Sequence, residues 1–123
     1  MAPSAGLRFF AVIDADDATR RVLEAQEVKL VAFRDLGAVV EEAPYVRERP
    51  NDDDLAEYVR VVDALAEHGP VLPAPVGTIF RNENVLARWL EIHYAALHDA
   101  LRTVERRGND GAPYDYVRMQ LGA

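Results

Sequence analysis

The 123-residue chain is half hydrophobic and 28% charged, which fits one globular domain, residues 1–123, around a single core. Its 14 basic and 21 acidic side chains give a net charge of −7, a balance that repels a phosphate backbone and argues against nucleic acid as a partner. The absence of cysteine excludes disulfides, thiolate nucleophiles, Cys-ligated zinc and iron–sulfur clusters.

The N-terminal Met-Ala-Pro-Ser-Ala-Gly lacks the basic segment of a signal peptide, and residues 1–6 read as a flexible tail. The apolar run that follows is too short to cross a bilayer, so the chain reads as soluble and cytoplasmic, with no membrane partner. Residues 7–13, Leu-Arg-Phe-Phe-Ala-Val-Ile, are rich in β-formers and end in Asp14, Asp16 and Asp17, which predicts a strand and a polar loop. Residues 18–27 form a thin apolar stripe, and the pattern leaves 14–27 between helix and loop. Residues 28–33 and 38–43 are apolar stretches separated by Arg34-Asp35-Leu36-Gly37, whose Asp and Gly suit a tight reversal between antiparallel strands.

After a linker over 44–50, Asn51 and the trio Asp52, Asp53 and Asp54 supply an N-cap and negative charge at the positive end of a helix dipole. Leu55, Val59, Val62 and Leu65 recur at spacings of three and four, joined by Tyr58, Val61 and Ala66. They predict a helix over 53–68 whose stripe covers a sheet. Gly69-Pro70 is its stop, since proline cannot continue a helix. Residues 71–80 place two prolines and a glycine among β-formers, which predicts a strand that pairs regularly only after Pro75. Asn82 caps a second, continuous helix to about residue 107, with Leu86, Leu90, His93, Leu97, Leu101 and Val104 as its stripe. Gly108-Asn109-Asp110-Gly111 ends it. Residues 114–121 then alternate as a strand with Tyr114, Tyr116 and Arg118 on a wet face.

This order predicts an α+β fold, a ferredoxin-like variant in which helices 53–68 and 83–107 cover one face of an antiparallel-rich sheet. The departure from βαββαβ falls at residues 14–43.

Few side chains carry chemistry. His93 and His98 are five apart, roughly 140° around a helix, and cannot grip one ion as i, i+4 ligands do. His93, within the apolar stripe, reads as a hydrogen-bonded core histidine. The aspartate runs at 14–17 and 52–54 lack the glycine and distal glutamate of a calcium loop, and capping already accounts for the second. The hydroxyls are Ser4, Thr19, Thr78 and Thr103, with no Gly-x-Ser-x-Gly turn, and Lys29 is the single lysine, which excludes a phosphate-cradling loop. These residues point to no metal, no cofactor and no catalytic group. Tyrosine and arginine dominate interface hot spots, so Tyr114, Tyr116 and Arg118 are the candidate contact residues.

Residues 60–73, Arg-Val-Val-Asp-Ala-Leu-Ala-Glu-His-Gly-Pro-Val-Leu-Pro, continue through Gly77-Thr78-Ile79-Phe80 and Asn84-Val85-Leu86. This stretch resembles the signature of the gas vesicle GvpF/GvpL family, and Tyr116-Val117-Arg118-Met119 is similar to the closing strand of that family's N-terminal domain. The resemblance spans about 55–121 and puts Arg60, Leu72, Pro73, Gly77, Thr78 and Phe80 in its motif, where they read as structural. Tyr58 stands where the family commonly has His, and Pro75-Val76 where it has Arg-Phe. The resemblance implies a stand-alone N-terminal domain with an accessory, non-enzymatic role in gas vesicle assembly, bound to a shell or accessory protein. Self-association stays open. A small-molecule-sensing ferredoxin-like domain is the alternative, to be told apart by an enclosed polar pocket in place of an apolar surface patch.

Overall fold

The computed structural model describes residues 5–45 and 49–107 of the chain. The order is β1 (Ala5–Asp14), α1 (Asp17–Gln26), β2 (Lys29–Phe33), β3 (Leu36–Pro44), α2 (Asp52–Ala66), β4 (Val71–Pro73), β5 (Ile79–Phe80), α3 (Glu83–Ile92) and α4 (Tyr94–Arg107). The expected terminal strand at 114–121 and the turn at 108–111 lie outside the described residues.

The four main strands run in the order β2-β3-β1-β4, and every neighbour is antiparallel. Strands β1 and β2 are therefore parallel with β3 between them, and β3 and β4 are parallel with β1 between them. Each of these pairs is joined by a crossover helix, and the common handedness of such crossovers places α1 and α2 on the same face. This is the ferredoxin-like βαββαβ arrangement. The uncommitted segment 14–27 supplies its first helix. Asp16 caps that helix, its carboxylate accepting from the Thr19 N–H at 2.8 Å, and Glu27 closes it in the left-handed conformation at φ 58.

Two helices thus do share one face, but they are α1 and α2. The expectation that helices 53–68 and 83–107 lie together is corrected by two separate cores. Phe10, Ile13 and Val39 of the sheet pack with Val22, Leu23, Val61 and Leu65 from α1 and α2. On the other face Phe9, Val12, Ala38 and Leu72 pack with Leu86, Leu90, Leu97 and Leu101 from α3 and α4. A β-bulge between Phe9 and Ala11 turns Phe10 and Ala11 to the same side. The sheet has no solvated face where β1 and β3 cross its middle: Phe9 to Ile13 and Leu36 to Val40 are all buried.

Helix 82–107 is also not continuous. It breaks at His93 (φ −102, ψ 13), so that α3 crosses β2 and β3 while α4 runs along β1 and β4. His93 is half-buried against Trp89, 5.2 Å between ring centroids, and does not sit in the core stripe. The other five stripe residues are buried.

The hairpin turns through Arg34 and Asp35, flanked by the Phe33–Leu36 pair. Its left-handed residue is Arg34 at φ 54, with Gly37 already inside β3. A Cβ on Gly37 would stand 2.3 Å from Leu30 Cδ1, so this glycine makes room for a neighbour on β2. Helix α2 opens on a capping box between Asn51 and Asp54 and ends at Ala66, before Gly69-Pro70.

Candidate functional site

Residues 71–80 lie along the outer side of β1 as one strand broken in the middle. Val71–Pro73 pairs with residues 11–13, and Ile79–Phe80 pairs with Arg8 and Leu7. Regular pairing therefore occurs on both sides of Pro75, not only after it. Between them the chain loops out, held by Ala74 N–H to Phe10 O and Phe9 N–H to Thr78 O, both 2.9 Å. Proline at 73 and 75 offers no N–H to a ladder, which fits a strand whose pairing is interrupted at this point.

The motif residues meet at this broken strand. Leu72 and Phe80 enter the α3/α4 core, where Phe80 meets Phe9 edge-on at 5.6 Å. Pro73 is buried in β4. The Thr78 N–H and hydroxyl both donate to Pro75 O, at 3.2 and 2.6 Å, and so close the loop. Gly77 has φ 86, and an added Cβ would lie 2.6 Å from Pro50 Cγ, so the loop needs a residue without a side chain. Arg60 sits apart on α2, its guanidinium donating to the Gln26 side chain of α1. Tyr114, Tyr116 and Arg118 lie outside the described residues.

A cleft of about 220 Å³ opens between this loop, the start of α2 and β1, with Arg8, Arg49, Pro50, Tyr58, Val76 and Gly77 among its walls. Tyr58 donates its hydroxyl to Ala74 O at 2.6 Å and ties α2 to the loop. Arg8 pairs across the sheet with Glu41, its register partner, at 2.8 Å, and also lies 3.3 Å from Asp54 and 3.9 Å from Glu57. Burial, then the hydrogen bond and charge of Glu57, push the Glu41 carboxyl up to about 7, against the pull of Arg8 and Arg60. Glu41 is the titratable group that sequence reading missed. Its one signal, a charged residue on a strand where Val39 already faces a helix, is legible only once α2 is placed over β3.

At the far side of the molecule, Asp35 in the hairpin turn accepts from the Tyr94 hydroxyl and lies 3.4 Å from His98 Nε2, while Arg34 stacks 5.1 Å over the Tyr94 ring. The Tyr94 bond holds the Asp35 carboxyl below its usual range. Arg102 pairs with Asp14. These contacts tie α4 to the ends of β1 and the hairpin. Among the described residues no group of three or more His, Cys, Asp or Glu is placed to hold a metal ion, and no helix is long and apolar enough to cross a membrane.

The family model for "Gas vesicle synthesis protein GvpL/GvpF" matches residues 7–108, most of the chain and all of the ferredoxin-like core with α3 and α4. The chain belongs to the GvpL/GvpF family. Comparisons with curated proteins and with solved structures returned no match. Membership supports a role in gas vesicle synthesis, and the Val-Leu-Pro and Ile-Phe parts of the two motif segments in this GvpL/GvpF chain form the interrupted strand beside β1.

Proposed function

We propose that the chain is a non-enzymatic, cytoplasmic assembly factor of the gas vesicle, of the family's N-terminal-domain type, that binds a shell or accessory protein. The family match over residues 7–108 carries this reading. The physics of the surface supports it. Arg8 is already engaged by three carboxylates and the Thr78 hydroxyl donates to Pro75 O, so these two polar groups are held in structural contacts. At about 220 Å³ the cleft is also smaller than the roughly 300–1,000 Å³ of ordinary small-molecule sites, which weighs against the sensing alternative. Leu55, Val59, Val76, Val85 and Ile92, by contrast, leave large apolar side chains in water.

Tyr114, Tyr116 and Arg118 stay the contact residues proposed from sequence. Affinity purification of the tagged chain from a gas-vesicle-forming host tests the class, with a gas vesicle shell or accessory protein expected among the captured chains. Recovery of no gas vesicle component, with the tagged chain restoring vesicle formation to a deletion strain, would mean that it acts without stable binding and defeats the proposal.

A further inference from the structure

The apolar arc of α2 is broader than the face it turns to the sheet. At 100° per residue, Val61, Leu65 and Tyr58 point toward the sheet, and Val62, Leu55 and Val59 follow in that rotational order on the adjoining shoulder. Val61 and Leu65 are buried, but Leu55 and Val59 remain 47% and 45% exposed, against the expectation that both help to cover the sheet. Two contacts fix which shoulder this is. Arg60, on the other side, reaches α1 at Gln26, and Tyr58 reaches the 74–78 loop at Ala74. The stripe therefore faces away from α1 on the side of that loop, where Val76 is exposed as well.

Beyond the stripe, further toward solvent, the rotation brings Asp52, Asp63 and Glu67. None of the three has an ion partner among the described residues. Residues 52–67 carry Asp52, Asp53, Asp54, Glu57, Asp63 and Glu67 against Arg60 alone. An apolar ridge with one uncompensated acidic border is complementary to an apolar surface with a basic border.

We propose that this shoulder of α2, Leu55, Val59, Val62 and Val76, docks an amphipathic helix of a partner protein whose apolar stripe is bordered by Lys or Arg. The proposal rests on the assembly reading above and gives it a place and a partner chemistry. A helix fits better than a strand for two reasons. Leu55 and Val59 form part of an i, i+4 ridge of the kind that packs into the groove of another helix. In the neighbouring strand, Pro73 and Pro75 offer no N–H to an added strand. A second copy using the same shoulder would bring acid against acid about the twofold axis. The exposed pair on α3, Val85 and Ile92, has Arg88 beside it and no such acidic border, and serves as the control surface.

The test uses the full chain and two labelled amphipathic peptides of about 18 residues, one Leu/Lys and one Leu/Glu with the same spacing. Fluorescence anisotropy should show micromolar, salt-weakened binding of the Leu/Lys peptide and at least about tenfold weaker binding of the Leu/Glu one. Leu55→Gln with Val59→Gln should reduce the Leu/Lys affinity about tenfold or more, while Val85→Gln with Ile92→Gln changes it less than about twofold. Amide shifts on binding should concentrate in α2 and around Val76, and thermal midpoints should confirm that both double variants are folded. Equal binding of the two peptides, undiminished binding by the α2 variant, or sedimentation showing that α2 mediates self-association each overturns the proposal. Purification from the host separates it from the reading beneath it. Gas vesicle proteins captured equally by wild type and the α2 variant sink the α2 surface and leave the assembly role. Peptide binding at α2 without capture of any gas vesicle component upholds the surface and sinks that role.

Discussion

Replacing Glu41 by Gln should stabilise the protein at pH 8 and do little at pH 5. Glu41 lies on the α1/α2 side of β3, with Arg8 across the sheet and the Asp54, Glu57 and Arg60 side chains of α2 in or around its cluster. Burial and the neighbouring Glu57 raise its carboxyl from 4.5 to about 7. Between those values the folded protein holds a proton that the unfolded chain has released, so stability falls as pH rises through this window. The displacement corresponds to a ceiling of about 3 kcal/mol at ~1.36 kcal/mol per pH unit. Water reaches part of the site, the Glu41 and Glu57 side chains being 22% and 32% exposed, and screening brings the expected effect to about 1–2 kcal/mol. Glutamine keeps an oxygen for Arg8 and cannot ionise. The carboxyls of Asp16, Asp35 and Glu42 are all held low, so their contributions are lost only on acidification below this window and cancel in the comparison. Urea unfolding of wild type and Glu41→Gln at pH 5, 6, 7 and 8 measures the difference directly. A constant difference across the series, or a variant destabilised at pH 8, would refute the argument, because it would mean that the Arg8 ion pair outweighs burial and Glu57.

Further substitutions test the local arguments. Gly77→Ala meets both a left-handed φ of 86 and Pro50 at 2.6 Å, and should cost about 1–3 kcal/mol by thermal or chemical unfolding, whereas Gly69→Ala, with open space around it, should stay within about 0.5 kcal/mol. Asn51→Ala removes the side chain that accepts from the Asp54 N–H and should cost about 1 kcal/mol and fray the first turn of α2, read by amide hydrogen exchange. Tyr58→Phe leaves Ala74 O without its 2.6 Å donor and should lower stability by about 1 kcal/mol, with faster exchange in the 74–78 loop. Tyr116→Ala and Arg118→Ala should each weaken capture of the gas vesicle partner by about 1–3 kcal/mol with the unfolding midpoint little changed, and unaltered capture removes these residues from the interface.

Much of this molecule is written in local chemistry that needs no partner elsewhere in the chain. The Asn51 cap, the Asp52 to Asp54 run and the Gly69-Pro70 stop delimit α2 to within two residues, because capping bonds and proline sterics act over a single turn. The stripe Leu86, Leu90, Leu97, Leu101 and Val104 is buried as its spacing requires. The motif segments at 69–73 and 77–80 carry the resemblance read from the sequence and lie within the matched residues 7–108, and Gly77 meets a conformational demand that few residue types can. Other features depend on what lies across from each residue. The same apolar stripe serves a helix broken at His93 as well as a straight one, and the break is visible only in the assembled fold, where Trp89 meets Phe9 and Phe80 while Tyr94 meets Phe33. The sequence pattern predicts a sheet covered by helices on one face, whereas Phe9 to Ile13 and Leu36 to Val40 are buried throughout, and which helix covers which face is set by crossover handedness and by the bulge at Phe10. Periodicity drew Leu55 and Val59 into the core because it records angles around a helix axis. Which part of that arc meets the sheet is a property of the assembled fold, and Leu55 and Val59 fall on the part turned away from it. Glu41 likewise acquires its high pKa from burial under α2 beside Glu57, an environment that exists only after β1, β3 and α2 have come together.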